Sequence, residues 1–191
     1  MARQPGSLFT GQRINMNIPN KITILRILLI PVFISLILYA KWQWALLVFA
    51  AAAVSDGLDG YLARVLKQKT ELGKILDPIA DKLLILSAFI CLSVANGLPS
   101  GIKPPPYVPV IIISRDAIII LGALLIYFMR GELEIKPTPV SKVTTFFQML
   151  TIVSILLQFE LSCILWNATV ILTIVSGLDY MRRGTRFLNE K

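Results

Sequence analysis

An all-α, polytopic membrane protein, a bundle of six spanning helices, is what this sequence predicts, on three observations. Of its 191 residues, 55% are hydrophobic and only 16% charged, against roughly 25% charged in a typical soluble domain. Apolar runs recur at close to the roughly 20 residues that cross a bilayer core. The basic residues gather in alternate loops between those runs. A mean hydropathy of +0.73 exceeds what one soluble core of this size can enclose.

The expected elements follow in chain order. Residues 1–19 read as a cytoplasmic or interfacial segment. Met1–Asn17 lacks the apolar region of a signal peptide. Ser7-Leu8-Phe9 with Ile14, Met16 and Ile18 is expected to form a short interfacial helix. Spans are expected near Ile22–Ala40, Trp42–Lys67, Leu72–Ala95, Tyr107–Met129, Val140–Phe159 and Leu161–Tyr180. Turn-forming residues separate them: Asn96-Gly97 with Pro99, the run Pro104-Pro105-Pro106, and Pro137 with Pro139. No composition shift divides residues 20–186, which read as one membrane domain, followed by a tail at 187–191.

Charge placement gives orientation. Arg3, Arg13 and Lys21, then Lys67, Lys69 and Lys74, then Arg130, Lys136 and Lys142, then Arg182, Arg183, Arg186 and Lys191 fall on one side. The opposite loops hold only Lys41 and Lys103. That asymmetry places both termini in the cytoplasm of a cell that carries the protein in its inner or plasma membrane. It also accounts for the net charge of +8 without nucleic acid, for which no basic, aromatic-interleaved module is present. Cys91 and Cys163 have no metal-ligand spacing and read as small core hydrophobes. Histidine is absent, so acid–base and metal chemistry must run on carboxylates.

Those carboxylates stand in the second and third spans. Asp56 and Asp59 are spaced i,i+3, and Asp77 and Asp81 i,i+4, so each pair shares a helix face. A cytoplasmic turn near Lys67–Thr70 would fold the two helices antiparallel and bring all four to one depth. An aspartate at bilayer centre costs about 2.5–3.5 kcal/mol. Two carboxylates about 6 Å apart repel by roughly 3 kcal/mol at an effective dielectric near 20. Arg64 and Lys82 are the local counter-charges. Three arrangements relieve the conflict: structural Asp–Arg and Asp–Lys pairs, an ion or proton pathway through a carrier, or divalent cations bound through oxygen. Gly57, Gly60, Ala63 and Gly73 allow close helix packing, or equally the approach of a base or phosphate to the backbone.

Read whole, Asp56, Asp59, Gly60, Ala63, Arg64, Gly73, Asp77 and Asp81 match D-x2-D-G-x2-A-R-x8-G-x3-D-x3-D at every fixed position. The segment resembles the signature of the CDP-alcohol phosphatidyltransferase family. The resemblance implies a six-helix membrane enzyme, active on the cytoplasmic side of the bilayer and homodimeric. It implies that Asp56, Asp59, Asp77 and Asp81 hold two divalent ions, Mg2+ or Mn2+, with Asp81 also the general base. Gly60, Ala63, Arg64 and Gly73 would then lie against the CDP group of CDP-diacylglycerol. Asn17-Ile18-Pro19-Asn20, with Thr23 and Arg26, is similar to the opening of bacterial phosphatidylglycerophosphate synthases, which puts Asn20 and Thr23 near the nucleotide.

The acceptor alcohol is to be read from cations facing the same cavity. Arg115 lies inside the fourth span and needs a partner; adjacent Asp116 is expected to face elsewhere. Lys142 begins the fifth span. Arg115-Asp116 and Lys142 resemble the acceptor region of phosphatidylglycerophosphate synthases, whose acceptor is glycerol 3-phosphate. Two positions depart: Ala123 stands where many carry a second arginine, and Thr144 where many carry a second lysine. Ser114-Arg115-Asp116 and Lys136-Pro137-Thr138 also resemble CDP-alcohol-type cardiolipin synthases, whose acceptor is phosphatidylglycerol.

Overall fold

The computed structural model describes residues 18–65, 71–99, 102–130 and 138–189, with side chains at 23–55, 79–99, 102–122 and 138–183. Six α-helices account for nearly all of them: α1 (Ile18–Leu38), α2 (Trp42–Val65), α3 (Glu71–Val94), α4 (Tyr107–Arg130), α5 (Pro139–Leu156) and α6 (Ser162–Asn189). No strand occurs among the described residues. Each helix coincides with an expected span, with shifted ends. α1 starts four residues before Ile22, and α6 continues nine residues past Tyr180 into the basic segment. The expected interfacial helix lies outside the described residues.

Local chemistry explains the breaks. Thr138 caps α5, its Oγ1 accepting the Ser141 backbone N–H at 3.1 Å, and Pro139 fills the first turn, where its missing donor is harmless. On the opposite side, α1 and α5 end on left-handed residues, Ala40 (φ 54°) and Gln158 (φ 55°). In both, the next N–H reaches back five residues: Lys41 to Leu36 at 2.8 Å and Phe159 to Ser154 at 2.9 Å. Pro31 sits inside α1, and the Ser35 hydroxyl donates to its carbonyl at 2.8 Å.

α1 packs along α2 and α3, while α6 packs along α4 and α5; α3 also touches α4 and α5, and α2 touches α5. The buried stripe of α1, Thr23, Arg26, Phe33 and Ile37, turns into this assembly. Phe49, Leu84, Phe89, Leu92, Ile112, Ile152 and Ile155 fill the shared core. Cys91 and Cys163 are free thiols packed at its edge, as small hydrophobes. The α5–α6 seam is polar: Thr151 and Thr169 share a hydroxyl–hydroxyl bond at 2.7 Å, and Thr144 donates to the Val140 and Leu172 carbonyls. Satisfying hydroxyls within the seam is what an apolar surrounding demands.

The outer surface is apolar in the way lipid requires. Leu28, Leu47, Ile120, Leu121, Ile164 and Ile171 are exposed, on α1, α2, α4 and α6. Among the described residues, α5 and Ser162–Arg183 of α6 are long and apolar enough to cross a bilayer, and Thr23–Leu38 and Trp42–Ser55 form shorter apolar stretches.

Candidate active site

α4 delivers a guanidinium into the bundle at Arg115, which is only 5% exposed. The α5 cap places Ser141 beside it, and α6 brings Ser176 from the other side. Arg115 donates from NH2 to Ser141 Oγ at 2.7 Å and to Ser176 Oγ at 2.6 Å, and from NH1 to Asp116 Oδ1 at 2.6 Å. One side chain therefore joins three helices. Asp116 is in turn held by α3: Lys82 Nζ lies 3.0 Å from Oδ2 and 3.2 Å from Oδ1. Lys82 and Asp116 retain 34% and 16% exposure, so the pair is partly solvated. Gly122 lets the Tyr180 ring lie against α4; a Cβ there would stand 3.3 Å from its Cε1.

These groups form the polar end of a cavity of about 540 Å3 between α3, α4 and the facing ends of α5 and α6. Its walls are otherwise apolar: Ile79, Leu83 and Leu86 from α3, Ile113, Ile119 and Ile120 from α4. Two cations against one carboxylate leave the polar end positive, so it suits an anion carrying hydroxyl groups. Asp81, half-buried on α3, immediately precedes Lys82.

The remaining predicted residues divide by helix. Asp56, Asp59, Gly60, Ala63 and Arg64 lie on the C-terminal part of α2, and Gly73 and Asp77 on the first turns of α3. Their side chains, like those of Asn20 and Ala123, lie outside the described residues. Among the described residues no group of three metal-ligating side chains occurs. Thr23 is 1% exposed, on the α1 stripe that packs along α2 and α3. Lys142 is exposed and does not line the cavity, so the structure does not bring it together with Arg115.

One expectation is corrected. Asp116 does pair with Arg115, because the long arginine side chain folds back to a neighbour that helical spacing alone sets on another face. Lys82 is paired across to Asp116 on α4. Ser141, Ser176 and Tyr180 are site residues that sequence reasoning missed. Hydroxyls in otherwise apolar helices were the available signal, and only the packing shows which of them meet.

Residues 16–175 match the sequence profile of the CDP-alcohol phosphatidyltransferase family. The chain is 34% identical to the CDP-diacylglycerol–glycerol-3-phosphate 3-phosphatidyltransferase of Bacillus subtilis, over 88% of this chain and 95% of that protein. It is 30% identical to the enzyme of the same name from Aquifex aeolicus, over 91% and 98%. It is also 34% identical to the CMP-forming cardiolipin synthase of Rattus norvegicus, over 88% of this chain but 62% of that longer protein.

The guanidinium's hydroxyl partners differ in burial, and so should the cost of deleting them. A hydrogen bond to a charged group contributes about 1.5–3 kcal/mol, and a lost partner is felt most where water cannot replace it. Ser176 is 1% exposed and Ser141 half-buried. Thermal unfolding in detergent is expected to show a larger loss for Ser176→Ala than for Ser141→Ala; equal or reversed losses contradict the assigned geometry.

Proposed function

The chain belongs to the CDP-alcohol phosphatidyltransferase family, and from that premise we propose that it transfers the phosphatidyl group of CDP-diacylglycerol to glycerol 3-phosphate. The products are phosphatidylglycerophosphate and CMP. The observation that carries this reading is the buried Arg115 guanidinium at the positive end of a cavity, on a helix tied to the one bearing Asp81. A phosphate on the acceptor binds at that end. Asp81 takes the proton from the acceptor hydroxyl as its oxygen bonds to the lipid phosphorus and the bond to CMP breaks. The family's activity replaces the ion-carrier reading of the acidic cluster.

The family is divalent-metal dependent. With no histidine in the chain and both thiols at the core edge, the donors on α2 and α3 are hard oxygens, which fit Mg2+ or Mn2+. Asp56, Asp59, Asp77 and Asp81 would hold two such ions, which when bound supply charge neutralisation at the pyrophosphate and the leaving CMP. Gly60, Ala63, Arg64, Gly73, Asn20 and Thr23 would hold the CDP group, and Lys142 would act as a second acceptor cation. All six helices would span the inner or plasma membrane with the site facing the cytoplasm, and the working unit would be a homodimer, which the mass of the purified protein in detergent tests.

A second reading is favoured by the cavity's apolar walls and the departures at Ala123 and Thr144. Phosphatidylglycerol as acceptor would make the chain a cardiolipin synthase.

Purified protein with CDP-diacylglycerol, Mg2+ and either acceptor, with lipid products separated, decides between them. Phosphatidylglycerophosphate is the expected product, and cardiolipin formation with glycerol 3-phosphate ignored would overturn the assignment. Arg115→Ala is expected to raise KM for glycerol 3-phosphate by roughly one to two decades, the equivalent of about 1.5–3 kcal/mol.

Metal use has its own test. Chelation is expected to abolish transfer, Mg2+ or Mn2+ to restore it, and Asp56→Asn to remain inserted but inactive. An active Asp56→Asn variant at matched expression sinks the two-metal reading.

For orientation, cysteines replacing Lys69 and Lys136, in a variant without Cys91 and Cys163, should label from the cytoplasmic face only. One replacing Ser100 should label from the opposite face only. The reverse pattern rejects a cytoplasmic site.

A further inference from the structure

We propose that Asp116 is a positioning residue for the transfer step: it ties the Arg115 guanidinium to α3 through Lys82, and so fixes the span between the acceptor's anionic end and Asp81. The inference rests on the acceptor reading above. Arg115 and Asp81 stand on different helices, and an acceptor held by one and deprotonated by the other reacts only if those helices keep a set separation. The Lys82–Asp116 bridge joins them at that point. Lys82 is the residue after Asp81, Asp116 the residue after Arg115, and the contact between them is 3.0 Å.

The rest of the cluster is arranged to make this carboxylate a joint. Asp116 Oδ1 receives both Arg115 NH1 at 2.6 Å and Lys82 Nζ at 3.2 Å. The other terminal guanidinium nitrogen is committed to Ser141 and Ser176, so the plane of the guanidinium is fixed from α4, α5 and α6 together. Arg115 Nε is buried without a hydrogen-bond partner among the described residues. Without Asp116 the same two cations would still attract a phosphate, but nothing would hold the guanidinium in register with α3. Removing the carboxylate should therefore leave the acceptor bound and poorly aligned.

A misplacement of about 1 Å lowers a reaction's rate on the order of a hundred-fold. Full-length protein assayed with CDP-diacylglycerol, Mg2+ and glycerol 3-phosphate is expected to lose about ten- to a hundred-fold in kcat on Asp116→Asn. KM for CDP-diacylglycerol should stay within about two-fold of wild type, and Asp116→Glu should recover much of the loss. Lys82→Met, which leaves the Arg115–Asp116 pair intact, should lose kcat in the same way, and the double variant should be no worse than the poorer single one. A merely structural role would lower the amount of folded protein and leave kcat per folded molecule unchanged; that result overturns the proposal. If Asp116→Asn does not fold, wild-type kinetics in Lys82→Met overturns it instead. Wild-type protein that makes no phosphatidylglycerophosphate defeats the acceptor reading and this proposal together. Wild-type protein that makes it while Asp116→Asn keeps full kcat defeats this proposal alone.

Discussion

A charge cannot stand alone in an apolar bundle, and the way Arg115 is accommodated organises the half of the molecule around it. Stranding a buried ion by removing its partner costs about 3–5 kcal/mol, more than any single hydroxyl contact contributes. The chain meets that demand with groups from every neighbouring element: Asp116 on its own helix, Ser141 on α5 and Ser176 on α6. Because Asp116 is shared with Lys82, the same demand reaches α3. α3 and α4, which touch far less than α1 with α2 or α5 with α6, are thus also joined by charge.

The same logic governs the α5–α6 seam. Lipid offers no hydrogen bonds, so Thr144, Thr151, Thr169 and Thr173 direct their hydroxyls to each other or to backbone carbonyls. Individual bonds of this kind are worth only about 0.6 kcal/mol in membrane proteins, but their positions fix how the two helices are rotated. That rotation determines which α6 residues face Arg115. Packing along the seam and the arrangement of groups around Arg115 are therefore one structural problem.

The helices were legible in the sequence because their signal is a property of single segments: apolar length, flanking prolines and loop charge. Their ends were less so. The start of α5 depends on the Thr138 cap, and α6 outruns its apolar stretch because a helix leaving the bilayer can continue through Met181-Arg182-Arg183 with an Asp179–Arg183 pair along its exposed face. The site was half legible. The aspartate signature announces itself by spacing within one stretch of chain. The polar end of the cavity is assembled from residues 82, 115, 141 and 176, whose meeting no local pattern records. Spacing even misled at Asp116, since a rule about helix faces describes where Cβ atoms point and not how far an arginine reaches.

The polar end of the cavity also bears on the departure at Thr144. Thr144 is fully buried, and its hydroxyl is spent on the Val140 and Leu172 carbonyls. A lysine there would have to displace the α5–α6 seam before it reached any substrate, so in this bundle the position serves packing. The cavity's positive character rests instead on Arg115 and Lys82 against a single carboxylate. An anion entering such a cavity competes with Asp116 for both cations. Charge count alone would have ranked this site as weak. What favours binding here is orientation: one guanidinium immobilised from several sides loses little freedom when its ligand arrives, whereas a flexible exposed lysine such as Lys142 must be ordered in the act of binding.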